Sequence, residues 1–354
     1  MTRPYTHSAQ TARARPMLAR LERLVPLLLL VAAVAGIMLL SSQFGIVQQR
    51  RVTLAFISLM SVVGLYVFMG NSGVLNFSSV GFMAIGAYVS ALLTMRPQVK
   101  ATFLQDLPGW LAEAQLDPVL GALAGGVAAA LIALAVGLPI MRLSGIGAGI
   151  ATLSILIIFY IVLGNWSGVT GGQRSLMGLP TYVTIWNAGL AAIGAIVLAF
   201  VYQESRSCLA LRASREDEVA ARAVGVRVVR ERLTAFVLGA FICGIAGVFY
   251  GHFLGTLRVE NFYLDPTFLY ITMLVVGGMR SLTGAVLGVI VISTLTELLR
   301  LLEVGARLPG LEITLRAPAG LGDVVLAGLM LGIILFRSQG ITGGREITLR
   351  GLRG

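Results

Sequence analysis

The sequence predicts an all-α membrane protein that crosses the bilayer about ten times, with some helices broken or re-entrant. Of its 354 residues, 57% are hydrophobic and only 12% are charged, whereas soluble domains carry about 25% charged residues. Apolar runs long enough to cross a hydrocarbon core of roughly 30 Å recur along most of the chain. They lack the alternation of barrel strands. Helices are therefore expected, because a helix satisfies its own backbone hydrogen bonds in lipid.

Ten hydrophobic segments are expected to form a membrane domain that spans residues 24–336. The segment at 267–279 is too short to cross unless it begins upstream of Pro266, so it either re-enters the membrane or is half of a broken helix. An even number of crossings places the two basic tails, 1–23 and 337–354, on the same side. The ten segments are 24–40, 52–69, 74–95, 118–142, 145–164, 183–203, 233–253, 267–279, 284–300 and 321–336.

The positive charge of the chain, +11 in total, is concentrated in three places. Five arginines lie in the first 23 residues, seven between Glu204 and Arg232, and four after Phe336. Cytoplasmic segments attract such an excess of arginine, so both termini and the 204–232 loop are predicted to face the cytoplasm of a bacterial inner membrane. The sequence has no basic stripe interleaved with aromatic residues, which argues against nucleic-acid binding.

Several other classes of protein are disfavoured. Cys208 and Cys243 are too few for a disulfide framework, and His7 and His252 do not assemble a metal site. No converging nucleophiles or acid–base pairs are visible within the hydrophobic segments, so an enzyme is not expected. The N-terminus resembles a signal peptide, but without a small-residue cleavage site the run 24–40 is predicted to be a retained helix.

The 204–232 loop is predicted to contain a short capped helix. Ser214 is expected to be its N-cap, with Asp217 completing a capping box and Gly225 supplying a left-handed stop. A small apolar face on such a helix suits docking into a groove of a partner protein; the alternative is a solvated loop that only joins two spans. The residues assigned to this helix are Ser214, Glu218, Val219, Ala220, Ala221, Ala223, Val224 and Gly225.

The stretch that begins at residue 71 is unusually polar for membrane depth. Polar groups in a bilayer are costly unless they face protein or water, and glycine and serine allow a helix to break at a substrate route. Two readings stay open: a translocation pathway, or close helix packing with hydroxyls bonded to their own backbone. The candidate pathway residues are Asn71, Asn76, Ser78 and Ser79.

Three smaller features have two readings each. The 170–172 stretch, with Trp166, is either a contact for an external binding protein or a turn. Glu297 either belongs to a proton relay or pairs with Arg300 at i+3. The glycine pairs separated by three residues are expected to be helix contacts rather than functional motifs; they are Gly121 with Gly125 and Gly284 with Gly288.

Taken together, five stretches resemble the permeases of branched-chain amino acid ABC transporters, of the LivM type. The longest covers residues 211–253 and begins LRASREDEVAARAVGVR. The others are LNFSSVGFMAIGAYVSA at 75–91, TGGQRSLMGLP at 170–180, LVVGGMRSLTGAVLG at 274–288 and FRSQGITG at 336–343. The resemblance extends from about residue 50 to 343. The chain departs from the family at Arg280, where glycine is common, at Ala285, where proline is frequent, and at Val219, where importers carry a glutamate.

The resemblance implies a permease subunit of an ABC importer. Its partners would be a second homologous permease subunit, two ATPase subunits and a periplasmic solute-binding protein, and ATP would be bound by the ATPase subunits. The sequence agrees with that division, because a phosphate-binding loop requires GxxxxGK[ST] and the single lysine, Lys100, follows Val99. The family carries branched-chain amino acids, with relatives that carry urea, amides or aromatic acids. The alternative is a proton-coupled transporter that works without an ATPase, for which Glu297 is the candidate carboxylate.

Overall fold

The computed structural model describes residues 15–104, 106–304, 306–307, 314–315, 318, 320–336, 339–344 and 346. Within these residues, every one of the ten hydrophobic segments forms a helix. These helices are α1 Arg15–Ser42, α2 Ile46–Leu65, α3 Ser79–Thr94, α6 Pro118–Ile140, α7 Gly145–Asn165, α9 Ile185–Gln203, α12 Val228–Leu254, α13 Leu264–Gly277, α14 Leu282–Val304 and α15 Leu321–Phe336. Shorter helices in the connections are α4 Pro97–Phe103, α5 Gly109–Glu113, α8 Ser167–Thr170, α10 Arg206–Glu216 and α11 Glu218–Ala223.

The remaining regular elements are short. A π-helical turn, Tyr66–Gly70, continues α2, and a 3₁₀ turn, Val259–Phe262, precedes α13. Strand β1 pairs antiparallel with β2, and β3 pairs antiparallel with β4. The strands are β1 Leu176–Met177, β2 Thr256–Leu257, β3 Ala306–Arg307 and β4 Thr314–Leu315.

Seven of the described helices are long and apolar enough to cross a membrane, counting α2 together with its π-helical turn. They are α1, α2, α6, α7, α9, α12 and α14. Three helices are shorter, since α3 and α15 have 16 residues each and α13 has 14. Helices α3 and α4 are joined at a 120° bend, and the pair makes an eighth span if it is counted as one broken helix. A mostly helical, multi-pass architecture is confirmed, whereas the count of ten crossings and the side of the termini stay predictions.

The segment predicted at 267–279 forms α13, which begins three residues earlier, at Leu264. Its length of 14 residues corresponds to about 21 Å, which falls short of a hydrocarbon core of roughly 30 Å. At the N-terminus, α1 begins at Arg15, inside the predicted tail 1–23. The rest of that tail, and most of the tail 337–354, lie outside the described residues.

The core of the bundle is built around α12. This helix packs against α2, α3 and α6, and it approaches them through glycines whose missing side chains let the backbones come close. A Cβ on Gly86 of α3 would overlap the carbonyl group of Gly244 of α12, and a Cβ on Gly125 of α6 would lie 2.6 Å from the carbonyl oxygen of Gly86. Three helices therefore meet at one glycine-lined crossing.

The glycine pairs noted in the sequence are helix contacts, as predicted. Gly121 of α6 faces the side chain of Thr94 in α3. In the second pair, the positions of Gly284 and Gly288 in α14 lie against the backbone of the α13 end, where added Cβ atoms would overlap the carbonyl oxygens of Gly278 and Met273.

We expect Gly247→Ala to destabilise the fold by about 1–3 kcal/mol, because the added methyl group would overlap the carbonyl oxygen of Met83. Thermal unfolding of the detergent-solubilised protein measures the change. Gly36→Ala is the matched control, since nothing lies within 4 Å of a Cβ at that position. Equal melting temperatures for the two variants would contradict the close packing of α12 on α3.

Candidate functional site

The short helix α11 stands at the centre of the candidate site, and its cap differs from the predicted one. Asp217 is the N-cap: its Oδ1 accepts hydrogen bonds from the amides of Val219 and Ala220, both at 2.9 Å. The prediction of Ser214 as N-cap is wrong. Ser214 lies inside α10, is buried, and donates its hydroxyl to the carbonyl of Leu211, because α10 continues to Glu216 before the chain extends at Asp217. Ser214 is therefore not part of α11.

The predicted end of the helix is confirmed. The chain after Ala223 passes through Val224 to Gly225, which has a left-handed φ of +88°. That conformation costs glycine little and reverses the chain into α12.

The apolar face of α11 points to solvent. Val219 is 78% exposed and Val224 is 81% exposed, and Ala220 and Ala223 beside them are also exposed. Ala221, at 4% exposure, faces the body of the protein instead. Helix α11 and the residue that follows it thus expose four small apolar side chains, while Ala221 packs against the protein.

The opposite side of α11 is held by ion pairs. The Glu218 carboxylate pairs with Arg222 one turn along and, at 2.9 Å, with Arg232 in α12. Arg232 is almost fully buried, and its guanidinium reaches the carbonyl of Leu143 in the α6–α7 connection at 3.5 Å. Charged hydrogen bonds with a buried partner are stronger than exposed pairs, so this ion pair fixes α11 to the start of α12.

The polar stretch after residue 70 interrupts the helical path between α2 and α3. The chain stays helical through Ser72, reaches Gly73 with a left-handed φ of +71°, and has no regular secondary structure at 73–77 before α3 begins. The Asn76 side chain then accepts hydrogen bonds from the amide and the hydroxyl of Ser78. We call residues 73–78 the helix break.

The candidate pathway residues are buried in the single subunit. Exposed fractions are 1% for Asn71, 5% for Asn76, and no more than 3% for Ser78 and Ser79. Among the described residues, the Ser79 hydroxyl finds no hydrogen-bond partner, whereas Leu75 of the break is 47% exposed. The Ser78 hydroxyl is bonded to the Asn76 side chain and not to its own backbone; a role in translocation stays a prediction.

Two arginines of α10 are hydrogen-bonded to the residues just before this break. Arg212 donates Nε to the Asn71 side chain at 2.8 Å and Nη2 to the Tyr66 hydroxyl at 3.2 Å. Arg215 donates Nη1 to the Gly70 carbonyl at 2.8 Å. Only Asp217 separates α10 from α11. Hydrogen bonds therefore connect the segment that carries α11 to the π-helical turn, a type of distortion that is frequent at functional sites.

The same hydrogen-bond network continues to α14. The Tyr66 hydroxyl donates to Gln203 at the end of α9, at 2.9 Å, and Gln203 donates to Glu346 at 3.3 Å. Glu346 accepts from the Leu282 amide and from the Thr283 hydroxyl, at 2.7 and 2.6 Å. A carboxylate at a helix N-terminus satisfies free amides and is favoured by the helix dipole. The network thus joins the break before α3 to the start of α14.

Sequence reasoning missed most of this network. Arg212 and Arg215 are visible as basic residues beside the predicted helix, but their partners lie about 140 positions away. Tyr66 stands in the middle of an apolar run, and Glu346 lies in the C-terminal segment. No spacing rule connects such residues, so the sequence carries no signal for their contact.

Arg280, where the chain departs from the family pattern, belongs to the same end of the bundle. The Arg215 guanidinium, and to a smaller extent Arg280, holds the pKa of the Glu216 carboxyl below its usual range. Glu216 is therefore ionised at neutral pH, and Arg215 engages it at 2.9 Å while binding Gly70.

His252 lies in a buried polar cluster at the opposite end of α12. Its Nδ1 is 2.9 Å from the Pro180 carbonyl and its Nε2 is 3.0 Å from the Ser90 hydroxyl. A carbonyl only accepts, so Nδ1 carries the proton and Nε2 accepts from the hydroxyl. In the part of the chain that the structure describes, no group of three or more histidine, cysteine, aspartate or glutamate residues is arranged to hold a metal ion. The cluster joins α3 and α12 to the loop before α9.

Two further sequence candidates have structural roles in the described chain. Residues 170–172 form a turn, with left-handed glycines and with the Thr170 hydroxyl bonded to the Trp166 carbonyl at 2.8 Å. Glu297 pairs with Arg300, as the i+3 reading predicts, and also with Arg51 of α2. The Glu297 carboxylate thus has two arginine partners, one in α2 and one in α14.

These features define a multi-pass membrane protein with a solvent-facing helix mounted on its core. Residues 48–334 match the family described as branched-chain amino acid transport system / permease component, and the chain belongs to this family. It is a permease component of a transport system and not an enzyme.

Two relatives illustrate the similarity. The high-affinity branched-chain amino acid transport system permease protein LivM of Escherichia coli (strain K12) is 28% identical, over 90% of this chain and 75% of the relative. The corresponding LivH protein of the same organism is 26% identical, over 84% of this chain and 94% of the relative. No solved structure matches the chain.

We expect Arg212→Leu to lower the free energy of unfolding by about 1–3 kcal/mol, because the buried Asn71 oxygen loses its charged donor. Arg142→Leu is the control, since Arg142 is exposed in the neighbouring α6–α7 connection. Thermal unfolding of Arg212→Leu, Asn71→Ala and the double variant forms a mutant cycle in which the two losses should overlap. Strictly additive losses would show that the two residues do not interact.

Proposed function

We propose that this chain is the transmembrane permease subunit of an ABC importer in a bacterial inner membrane. The observation that carries the proposal is α11, a capped helix that exposes Val219 and Val224 to solvent. Fully burying one valine is worth about 1.5–3 kcal/mol, so a groove that covers this face gains several kcal/mol. The groove belongs to an ATPase subunit, and α11 is the coupling helix that enters it.

The driving force comes from separate polypeptides. The chain has no GxxxxGK[ST] sequence, and its lysine is occupied elsewhere, since Lys100 donates to the carbonyls of Leu111 and Ala114 and so joins α4 to α5. Two ATPase subunits bind the ATP, and no cofactor resides on this chain. A second, homologous permease subunit completes the membrane pore, and a periplasmic binding protein delivers the solute.

The hydrogen bonds of α10 provide the route from the ATPase to the membrane. When the ATPase subunits close on ATP, they displace α11 and, with it, α10. Arg212 and Arg215 transmit that displacement to Asn71 and Gly70, and the break adjoins α7 through the bond from the Phe77 amide to the Thr152 hydroxyl at 3.2 Å. Only 22% of the residues in the apolar window of α7 are buried within the subunit, which leaves this helix a face for the second permease subunit.

The solute is a branched-chain amino acid or a related small polar molecule. The two relatives described above are named for branched-chain amino acid transport, and specificity in such a system resides mainly in the binding protein. Urea, amides and aromatic acids are the alternative solutes within the same family. Binding measurements on the binding protein, with leucine compared against urea and phenylacetate, separate these possibilities.

Replacing both Ala220 and Ala223 by arginine should abolish co-purification with an ATPase subunit, because two long charged side chains would stand on the docking face. The matched control is Ala101→Arg, an equally exposed alanine in α4 at the other end of the bundle. Amounts of protein in the membrane should stay unchanged. Normal co-purification of the double variant would show that α11 is not the docking helix.

Glu297→Gln should leave solute uptake largely intact, because Glu297 is paired with Arg51 and Arg300 rather than free to carry a proton. Uptake into proteoliposomes that contain the whole complex measures this, at equal reconstituted protein. Complete loss of uptake would favour the proton-coupled alternative over the ATP-driven one.

A further inference from the structure

A basic cavity of about 520 Å³ lies between α10, the turn after α11 and the start of α12. Its wall contains Arg206, Arg227 and Arg230, and the single carboxylate beside them is Glu231, which already accepts a hydrogen bond from the Ser207 hydroxyl. Within the described residues, none of these three arginines takes part in an ion pair. Three cations against one anion leave the cavity with a net positive charge, suited to an anionic group.

The basic cavity opens into an apolar groove. A second cavity of about 460 Å³ shares Arg230 and Thr234 with the first and continues between α6 and α12. Its walls are almost entirely apolar, with Leu134 from α6 and Leu233 and Val237 from α12. At Phe241 this groove meets a third cavity of about 830 Å³, which extends toward α9.

The length of the groove matches one leaflet of a bilayer. From Arg230 to Phe241 the α12 helix advances 11 residues, which corresponds to about 16 Å at 1.5 Å per residue. Half of a hydrocarbon core of roughly 30 Å is about 15 Å. The groove is therefore as long as one acyl chain, and its charged end lies where α12 leaves the arginine-rich loop.

We propose that the basic cavity and this groove together bind one anionic phospholipid from the cytoplasmic leaflet. The lipid phosphate contacts Arg206, Arg227 and Arg230, and one acyl chain lies against Leu233, Val237 and Phe241. The assignment rests on the proposed cytoplasmic side of the 204–232 loop. An apolar chain joined to a negative headgroup fits both parts of the site, whereas a soluble anion would fill only the basic cavity.

The bound lipid would contact the coupling element itself. Val224, Gly225 and Val226, which connect α11 to α12, form part of the basic cavity. A headgroup seated there restrains this connection, so the composition of the cytoplasmic leaflet would set how firmly α11 is held when an ATPase subunit binds.

Native mass spectrometry of the full-length protein in a neutral detergent tests the proposal directly. Phosphatidylglycerol should be retained, while phosphatidylcholine with the same acyl chains and inorganic phosphate should not. Changing Arg206, Arg227 and Arg230 together to glutamine should lower phosphatidylglycerol retention on the order of a hundredfold, since three attractions between arginine and the anionic headgroup are removed. Val237→Trp, which fills the groove and keeps the charges, should also lower it.

The control removes the same charge elsewhere: Arg96, Arg174 and Arg258, all exposed, are changed together to glutamine. Retention equal to that of the unmodified protein is expected for this control. Equal retention of phosphatidylcholine, or undiminished retention by the arginine variant, would overturn the lipid site. Binding of inorganic phosphate alone would also overturn it and would show a simple anion site. Because the assay contains neither ATPase nor solute, its failure leaves the importer proposal standing.

Discussion

The hydrogen bonds from Arg212 and Arg215 to the turn at Tyr66–Asn71 are the contacts on which the arrangement of this end of the bundle depends. They satisfy a carbonyl and an amide side chain that a regular helix would not expose. Buried polar groups without partners cost about 1–3 kcal/mol each, so the π-helical turn and the helix break are tolerated only while α10 stays in place. The loop that carries α11 and the discontinuity in the membrane domain are in this sense a single structural unit.

The glycine-lined crossing of α3, α6 and α12 forms the close-packed core next to this structural unit. Helices α2, α3 and α6 are in backbone contact with α12. The core therefore has little freedom to deform, because close-packed interiors have low compressibility. The ion pair from Glu218 to Arg232 fixes α11 to the same central helix. Helix α11 is thus tied to the core through Arg232, while the adjoining α10 is tied to the turn before the break through Arg212 and Arg215.

The sequence predicted the fold class, the ten helical segments and the glycine contacts, because apolar run length and small-residue spacing are local properties. It also predicted the exposed face of α11 and its stop at Gly225. The cap was misplaced because Ser214 and Asp217 are both good N-caps, and only the continuation of α10 to Glu216 decides between them. The contacts of Tyr66, Gln203 and Glu346 were beyond prediction, since they depend on how distant segments meet in three dimensions.

Hydrogen exchange of the amides at 66–79, in the complete reconstituted complex with and without ATP, tests the central claim most directly. If α11 transmits ATPase closure through Arg212 and Arg215, exchange in this segment should change on ATP binding, and the change should disappear when both arginines are replaced by leucine. Exchange that is the same with and without ATP, in a complex that still takes up solute, would contradict this route of coupling.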